Sequence, residues 1–172
     1  MAGNQSRVEK ALYDALVALL KRKSIDKITV TELCGTADVN RATFYKRYYS
    51  LEEYYLHITE EKFREIGDMS AQIIAEKGTT NEAIKEVILC SFHSLIEEKA
   101  LTPVFLRVDR ASLKSHDASL HGLLPDDEQF RFEYSLIMMG MTGITNDWIA
   151  GGCKQSPDRI ADMLTIMLKK LF

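Results

Sequence analysis

The 172-residue sequence contains only three cysteines and three prolines, and it has no long uninterrupted apolar run. Cys34, Cys90 and Cys153 are odd in number and widely spaced, which fits neither a disulfide framework nor a paired-cysteine metal site. No apolar run approaches the ~20 residues that cross a bilayer, and the polar first residues lack the apolar segment of a secretory signal. We therefore expect a cytoplasmic protein with reduced thiols and no membrane association.

Patterns that indicate catalysis or metal binding are also scarce. The sequence shows no nucleophile–base pair and no phosphate-binding loop. A redox role for a cysteine would require a lowered thiol pKa. A helical metal site would place a carboxylate one turn away from a histidine, and we expect no such pairing for any of the four histidines: His57, His93, His116 and His121. We therefore expect no enzymatic activity, no metal and no cofactor.

The charge is small overall but unevenly distributed. The formal net charge is −3. Residues 1–50 carry nine Lys or Arg and five Asp or Glu, a balance of +4, whereas residues 51–172 carry 13 basic and 20 acidic residues, a balance of −7. A basic head on an acidic body suits a protein that meets a polyanion at one end only.

Apolar residues recur at three- and four-residue spacing along most of the chain, as in amphipathic helices. The second helix is expected to be capped at its N-terminus by a threonine next to Val30. Asn40 is expected to cap the third helix, and Ser50 the fourth. Residues 112–125 are polar, and their structure stays open. The pattern predicts an all-α protein with helices at about 8–20, 30–37, 41–47, 51–77, 80–99, from 102 onward, 126–150 and 156–171.

Residues 31–50, TELCGTADVNRATFYKRYYS, predict two short helices joined by a tight turn. The polar residues of the second helix then remain outside, where a helix-turn-helix places them in the major groove of DNA. Arginine can form two hydrogen bonds with guanine, and a threonine methyl can contact thymine, whereas tyrosine and lysine hold phosphates. The alternative is a packed helix pair that presents solvated charge. Five apolar residues have the spacing to close a small core between the helices: Val30, Leu33, Ala37, Val39 and Phe44.

The segment VNRATFYKRY is similar to the recognition helix of the TetR family of bacterial repressors, and the resemblance covers about residues 7–60. Two positions depart from the family: Asp38 occupies a turn position where glycine is common, and Leu51 a position where lysine often anchors a phosphate. The resemblance implies that Arg41, Ala42 and Thr43 face DNA bases. It implies phosphate contacts for Thr29, Thr31, Tyr45, Lys46 and Tyr49, and Asn40 and Arg47 complete the expected DNA-binding set.

The resemblance also implies that a C-terminal lobe dimerises and binds an effector. The helices at about 127–150 and 157–171 are apolar on most sides, which predicts a homodimer built from four helices across a two-fold axis. Packing within one chain is the alternative for these residues. Seven residues are candidates to line an apolar pocket: Phe92, Leu95, Phe105, Phe130, Tyr134, Met138 and Trp148.

We expect a DNA-binding domain over residues 1–49 and a helical ligand-binding and dimerisation domain over residues 50–172. The expected function is transcriptional regulation on double-stranded operator DNA, with repression relieved by a small hydrophobic effector. The alternative is a regulator that answers to a protein partner docked on residues 112–128 and has no small-molecule pocket. The sequence leaves open the operator, the regulated genes, the effector, and whether binding represses or activates.

Overall fold

The computed structural model describes residues 2–105, 120, 122–123 and 128–171. All regular structure within these ranges is helical, which confirms the predicted all-α class. In this described part of the chain, no helix has the length and apolar character needed to span a membrane. Short 3-10 turns lie at Ile25–Lys27 and Lys99–Leu101, and the α-helices are α1 (Ala2–Leu20), α2 (Val30–Thr36), α3 (Arg41–Tyr45), α4 (Leu51–Lys77), α5 (Asn81–Glu97), α6 (Thr102–Phe105), α7 (Glu128–Ala150) and α8 (Pro157–Leu171).

Side-chain caps set the starts of α2, α3 and α4. Thr29, Asn40 and Ser50 each accept a hydrogen bond from a backbone N–H two or three residues further on, over 3.2, 2.8 and 3.2 Å. Such bonds satisfy amides that a helix leaves unpaired in its first turn. The carboxylate of Glu53 in turn accepts a hydrogen bond from the backbone N–H of Tyr49, the residue before the cap.

Most observed helix boundaries lie within two residues of the predicted ones, but α1 begins at Ala2, six residues before the predicted start. Helix α3 ends at Tyr45 instead of residue 47, and α2 ends at Thr36 instead of residue 37. Gly78 ends α4 with φ +67, a conformation that glycine adopts without steric cost. Most of the polar segment 112–125 lies outside the described residues.

Two hydrophobic clusters hold the helices together. The larger combines α1, α2, α3 and α4 with the chain just after α5, so that Leu12 and Leu16 share a core with Leu101 and Phe105. The smaller joins α5, α7 and α8 around Trp148. The larger cluster therefore contains side chains from both sides of residue 50, where the domain division is predicted.

Candidate nucleic-acid interface

A tight turn at residues 37–40 joins α2 to α3. Asp38 has φ +53, the left-handed conformation for which glycine is the usual residue. The N–H of Val39 donates to the carbonyl of Cys34 over 2.9 Å, which satisfies one of the last carbonyl groups of α2. Aspartate thus makes the turn that glycine commonly makes, at the steric cost of a side chain.

A buried aromatic base supports α3. Phe44 is completely buried, and its ring centroid lies 5.5 Å from that of Tyr48 and 5.9 Å from that of Tyr54. Leu33 of α2 is also completely buried, and Leu51, at the position where lysine is common, packs partly buried against the same cluster. This packing fixes the orientation of α3. The predicted small core is confirmed, because the remaining three members are partly buried against this cluster: Val30, Ala37 and Val39.

The other side chains of α3 form an exposed face. Arg41 and Ala42 are exposed, and Thr43 is partly buried. The guanidinium carbon of Arg41 lies 5.9 Å from the centroid of the Tyr45 ring, within cation–π distance. Two of the predicted DNA-binding side chains therefore lie together on one exposed surface.

The residues predicted to hold phosphates flank this face. Tyr49 has 88% of its surface accessible. Asn40 is exposed too, but its side-chain oxygen is already used as the cap of α3. The other four are exposed at the start of α2 and at the end of α3: Thr29, Thr31, Tyr45 and Lys46. Their contacts with DNA stay predictions.

Arg47 differs from the other members of the predicted set. Its Nη1 lies 3.0 Å from Oε1 of Glu9 in α1, and only 21% of its side chain is exposed. The ion pair ties the end of α3 to the first helix. No local sequence signal pointed to Glu9, because the two residues are 38 positions apart. Lys27, exposed two residues before Thr29, is a further basic side chain near the start of α2 that was not among the predicted contacts.

The candidate pocket residues divide between the two hydrophobic clusters. Phe92 and Trp148 are in edge-to-face contact, with centroids 5.1 Å apart, in the smaller cluster. Leu95 and Phe105 are buried in the larger cluster. The structure thus divides these four residues into two pairs, one in each cluster. The side chains of the other three candidates lie outside the described part: Phe130, Tyr134 and Met138.

The histidines and cysteines supply no metal site among the described residues. The expectation that no histidine has a carboxylate one helical turn away is wrong for His57, whose Nε2 lies 3.6 Å from Oε2 of Glu61 four residues further on. It is also wrong for His93, which Glu97 follows at the same spacing and whose Nε2 lies 3.9 Å from Oδ2 of Asp158. Burial raises the pKa of Cys34 and of Cys90. A raised pKa lowers the fraction of reactive thiolate, which disfavours both thiols as redox sensors.

Large apolar side chains are exposed on the last two helices. Gly140 and Gly143 of α7 are exposed as well, and a Cβ added at either would meet nothing within 4 Å. Exposed large apolar side chains in such number favour these two helices as candidates for an association site. The exposed side chains are Phe132, Leu136 and Met139 of α7 and Met163, Ile166 and Met167 of α8.

Comparisons with known proteins agree with this architecture. Residues 110–170 match a TetR-type family model described as a transcriptional regulator C-terminal region. No curated protein was found to match the sequence. The solved structures described below are 14–16% identical to this chain, and at such identities their similarity shows only that the fold is shared.

Three solved structures are similar over nearly their whole length. The fatty acid degradation regulator FadR from Bacillus halodurans is 16% identical, with 94% of each chain covered and a TM-score of 0.70. A TetR family transcription regulator from Marinobacter aquaeolei is 14% identical, with 97% of this chain and 96% of that one covered and a TM-score of 0.65. The dihydroxyacetone kinase operon activator DhaS is 16% identical, with 95% of each chain covered and a TM-score of 0.65.

Proposed function

Because the chain belongs to the TetR family of transcriptional regulators, we propose that it binds operator DNA as a homodimer and represses transcription until a small hydrophobic effector binds. The observation that carries the DNA-binding part is the exposed face of α3, where Arg41 and Tyr45 lie beside each other while Phe44 is completely buried. A recognition helix needs such a combination, since it must expose polar groups to the groove while its own orientation stays fixed.

The exposed side chains of α2 and α3 offer the groups that DNA recognition requires. The guanidinium of Arg41 presents paired donors that match O6 and N7 of guanine. The hydroxyl groups of Thr29 and Thr31 and the ammonium group of Lys46 suit phosphate oxygens. The excess of basic residues in 1–50 attracts DNA to this end of the chain, and the acidic balance of the remainder repels it elsewhere.

The exposed apolar surface of α7 and α8 is the proposed dimer interface. Its six large side chains would be covered by the same surface of a second chain, as a two-fold axis requires. Gly140 and Gly143 leave space for a partner helix to approach closely. A dimer of this kind presents two α3 helices to successive major grooves, about 34–36 Å apart or a multiple of that distance.

The small hydrophobic effector is proposed from the apolar core of the C-terminal half. Phe92 and Trp148 pack where α5, α7 and α8 meet, and one structural relative is described as a regulator of fatty acid degradation. An effector releases DNA only if it binds the DNA-incompetent arrangement more tightly than the DNA-competent one. We therefore expect ligands with an acyl chain to weaken operator binding.

Control by a protein partner is the second candidate. It is favoured by the dense packing of the four described pocket candidates, none of which exposes more than 6% of its surface. Operator binding measured with a series of acyl ligands separates the two mechanisms. A loss of affinity in their presence supports the small-molecule mechanism, and unchanged affinity with every chain length supports the partner.

The DNA-binding proposal is tested with variants of the α3 face. Inverted repeats are first sought in the sequence beside the gene, and the probes are duplexes that carry such a repeat, together with a scrambled duplex. We expect Arg41→Ala to weaken specific binding by roughly 10- to 100-fold, because a bidentate contact with guanine contributes about 1–3 kcal/mol. Lys46→Ala should instead lower affinity for both duplexes and reduce the salt dependence of binding.

Arg64→Ala is the matched control, because it removes an exposed arginine from α4 without altering α3. Wild-type affinity in both Arg41→Ala and Tyr45→Ala would contradict the assignment of α3 to the groove. A reporter gene placed behind the repeat then distinguishes repression from activation. The reporter measurement is needed because DhaS, which has the same fold, is described as an operon activator.

A further inference from the structure

Lys62 is a buried ammonium group in the middle of α4. It exposes only 6% of its surface, and it is the only charged residue among those buried in the described part of the chain. Its Nζ lies 2.8 Å from Oε1 of Glu98 and 3.1 Å from Oε2 of Glu65. Burial would lower the pKa of Lys62, but the hydrogen bonds that its ammonium group donates to these carboxylates outweigh burial and raise the pKa, so the group remains charged.

Glu98 also binds the first helix. Its Oε2 accepts a hydrogen bond from the hydroxyl of Tyr13 in α1 over 2.8 Å, while its other oxygen accepts from Lys62. One carboxylate at the end of α5 is therefore bonded to α1 and to α4 at once. We call these three residues, Tyr13, Lys62 and Glu98, the α1–α4–α5 link.

Apolar packing surrounds this link. Just after Glu98, Leu101 and Val104 are completely buried in the same cluster as Leu12 and Leu16 of α1. The Lys62 ammonium, with 6% of its side chain exposed, loses more by separation from Glu98 than it would in water, because it cannot be resolvated in place, whereas the Glu98 side chain keeps 28% exposure. The link thus admits one relative position of α1, α4 and the end of α5.

Buried ion pairs contribute little net stability compared with apolar residues of the same volume, but their directional bonds can specify one arrangement. We propose that Glu98 is a positioning residue, which fixes the orientation of the DNA-binding helices relative to the C-terminal helices and thereby the separation of the two recognition helices in the dimer. The effect on separation rests on the proposed function; the effect on orientation within one chain does not.

The orientation is measured first, without DNA. Spin labels are attached through Lys27→Cys and Lys154→Cys, and Cys90 and Cys153 are replaced by serine. Both labelled positions are exposed; Lys27 lies before α2, and Lys154 lies between α7 and α8. Labelled chains are diluted into unlabelled ones so that only distances within a chain are recorded. We expect one narrow distance distribution for the parent chain and at least a twofold broader one for Glu98→Gln and Tyr13→Phe.

Two substitutions serve as controls. Tyr54→Phe removes a buried tyrosine hydroxyl that is not bonded to Glu98, and Lys85→Met breaks the exposed ion pair with Asp162 between α5 and α8. Both should keep the narrow distribution. If Glu98→Gln and Tyr13→Phe keep it too, the positioning role is overturned, whether or not the protein binds DNA.

The second measurement uses operators whose half-sites are moved apart or together by one base pair. The wild-type dimer should prefer one spacing, and Glu98→Gln should reduce that preference about tenfold while affinity for a single half-site stays within about threefold. Preserved spacing preference in a variant with a broadened distance distribution would overturn the effect on separation. Absence of any wild-type binding would refute the proposed function and leave the distance result to decide the positioning role.

Discussion

Replacing Leu136 and Met139 together by glutamate should convert the proposed homodimer into monomers. Both residues lie on α7 and are among the exposed apolar side chains of the proposed interface; Leu136 is 60% exposed and Met139 is 63% exposed. They are three residues apart, so they occupy neighbouring positions on one side of the helix. Exposed glutamates at these positions are harmless in a monomer, and they are buried only when two chains associate.

The magnitude follows from the area that association covers. Complete burial of a leucine or methionine side chain contributes ~1.5–3 kcal/mol, so covering the exposed parts of these two contributes roughly 1–2 kcal/mol each. A two-fold axis presents each side chain twice, which brings the loss to roughly 4–8 kcal/mol before the cost of burying carboxylates is added. Even the lower value corresponds to a dissociation constant raised about 1,000-fold.

Sedimentation velocity over a series of protein concentrations measures this change directly. Leu56→Glu is the control, because it places a glutamate at a leucine of α4 that is 38% exposed and lies outside the proposed interface. The helical signal in circular dichroism should remain in all variants. A double variant that sediments as the wild-type dimer at the same concentrations would refute the assignment of this surface.

Three further predictions concern stability, measured by urea unfolding. Asp38→Gly should raise the free energy of unfolding by up to roughly 1 kcal/mol, because glycine accepts the left-handed turn conformation without a steric cost, whereas Asp38→Ala should lower it. Tyr54→Phe should raise it by roughly 1 kcal/mol, since the buried Tyr54 hydroxyl has no hydrogen-bond partner among the described residues; an unchanged or lower value would show that the hydroxyl is satisfied. Burial raises the pKa of Tyr48 from 10.0 to about 12, so stability should be complete below about pH 10 and fall as the pH rises toward 12, and Tyr48→Phe should make that fall shallower.

The short-range features of the fold were predictable from the sequence. The caps at Thr29, Asn40 and Ser50 depend on contacts over two or three residues, and the apolar spacing of each helix repeats over three or four. The left-handed turn at Asp38 is likewise a local conformation. For this reason the helix order, the small core beneath α3 and the exposure of Arg41 and Tyr45 could all be inferred from the order of residues alone.

Contacts between distant segments were decided only by tertiary packing. Arg47 reaches Glu9 38 positions earlier, and Tyr13 meets Glu98 across 85 positions. The division of Phe92 and Leu95 between two clusters likewise depends on how α5 lies against α4 and α8. Helical periodicity states which residues share a side of a helix, but it does not state which other helix covers that side. Which helix covers a given side depends on how the whole chain packs. That packing brings together the residues of the α1–α4–α5 link and leaves apolar side chains of α7 and α8 exposed.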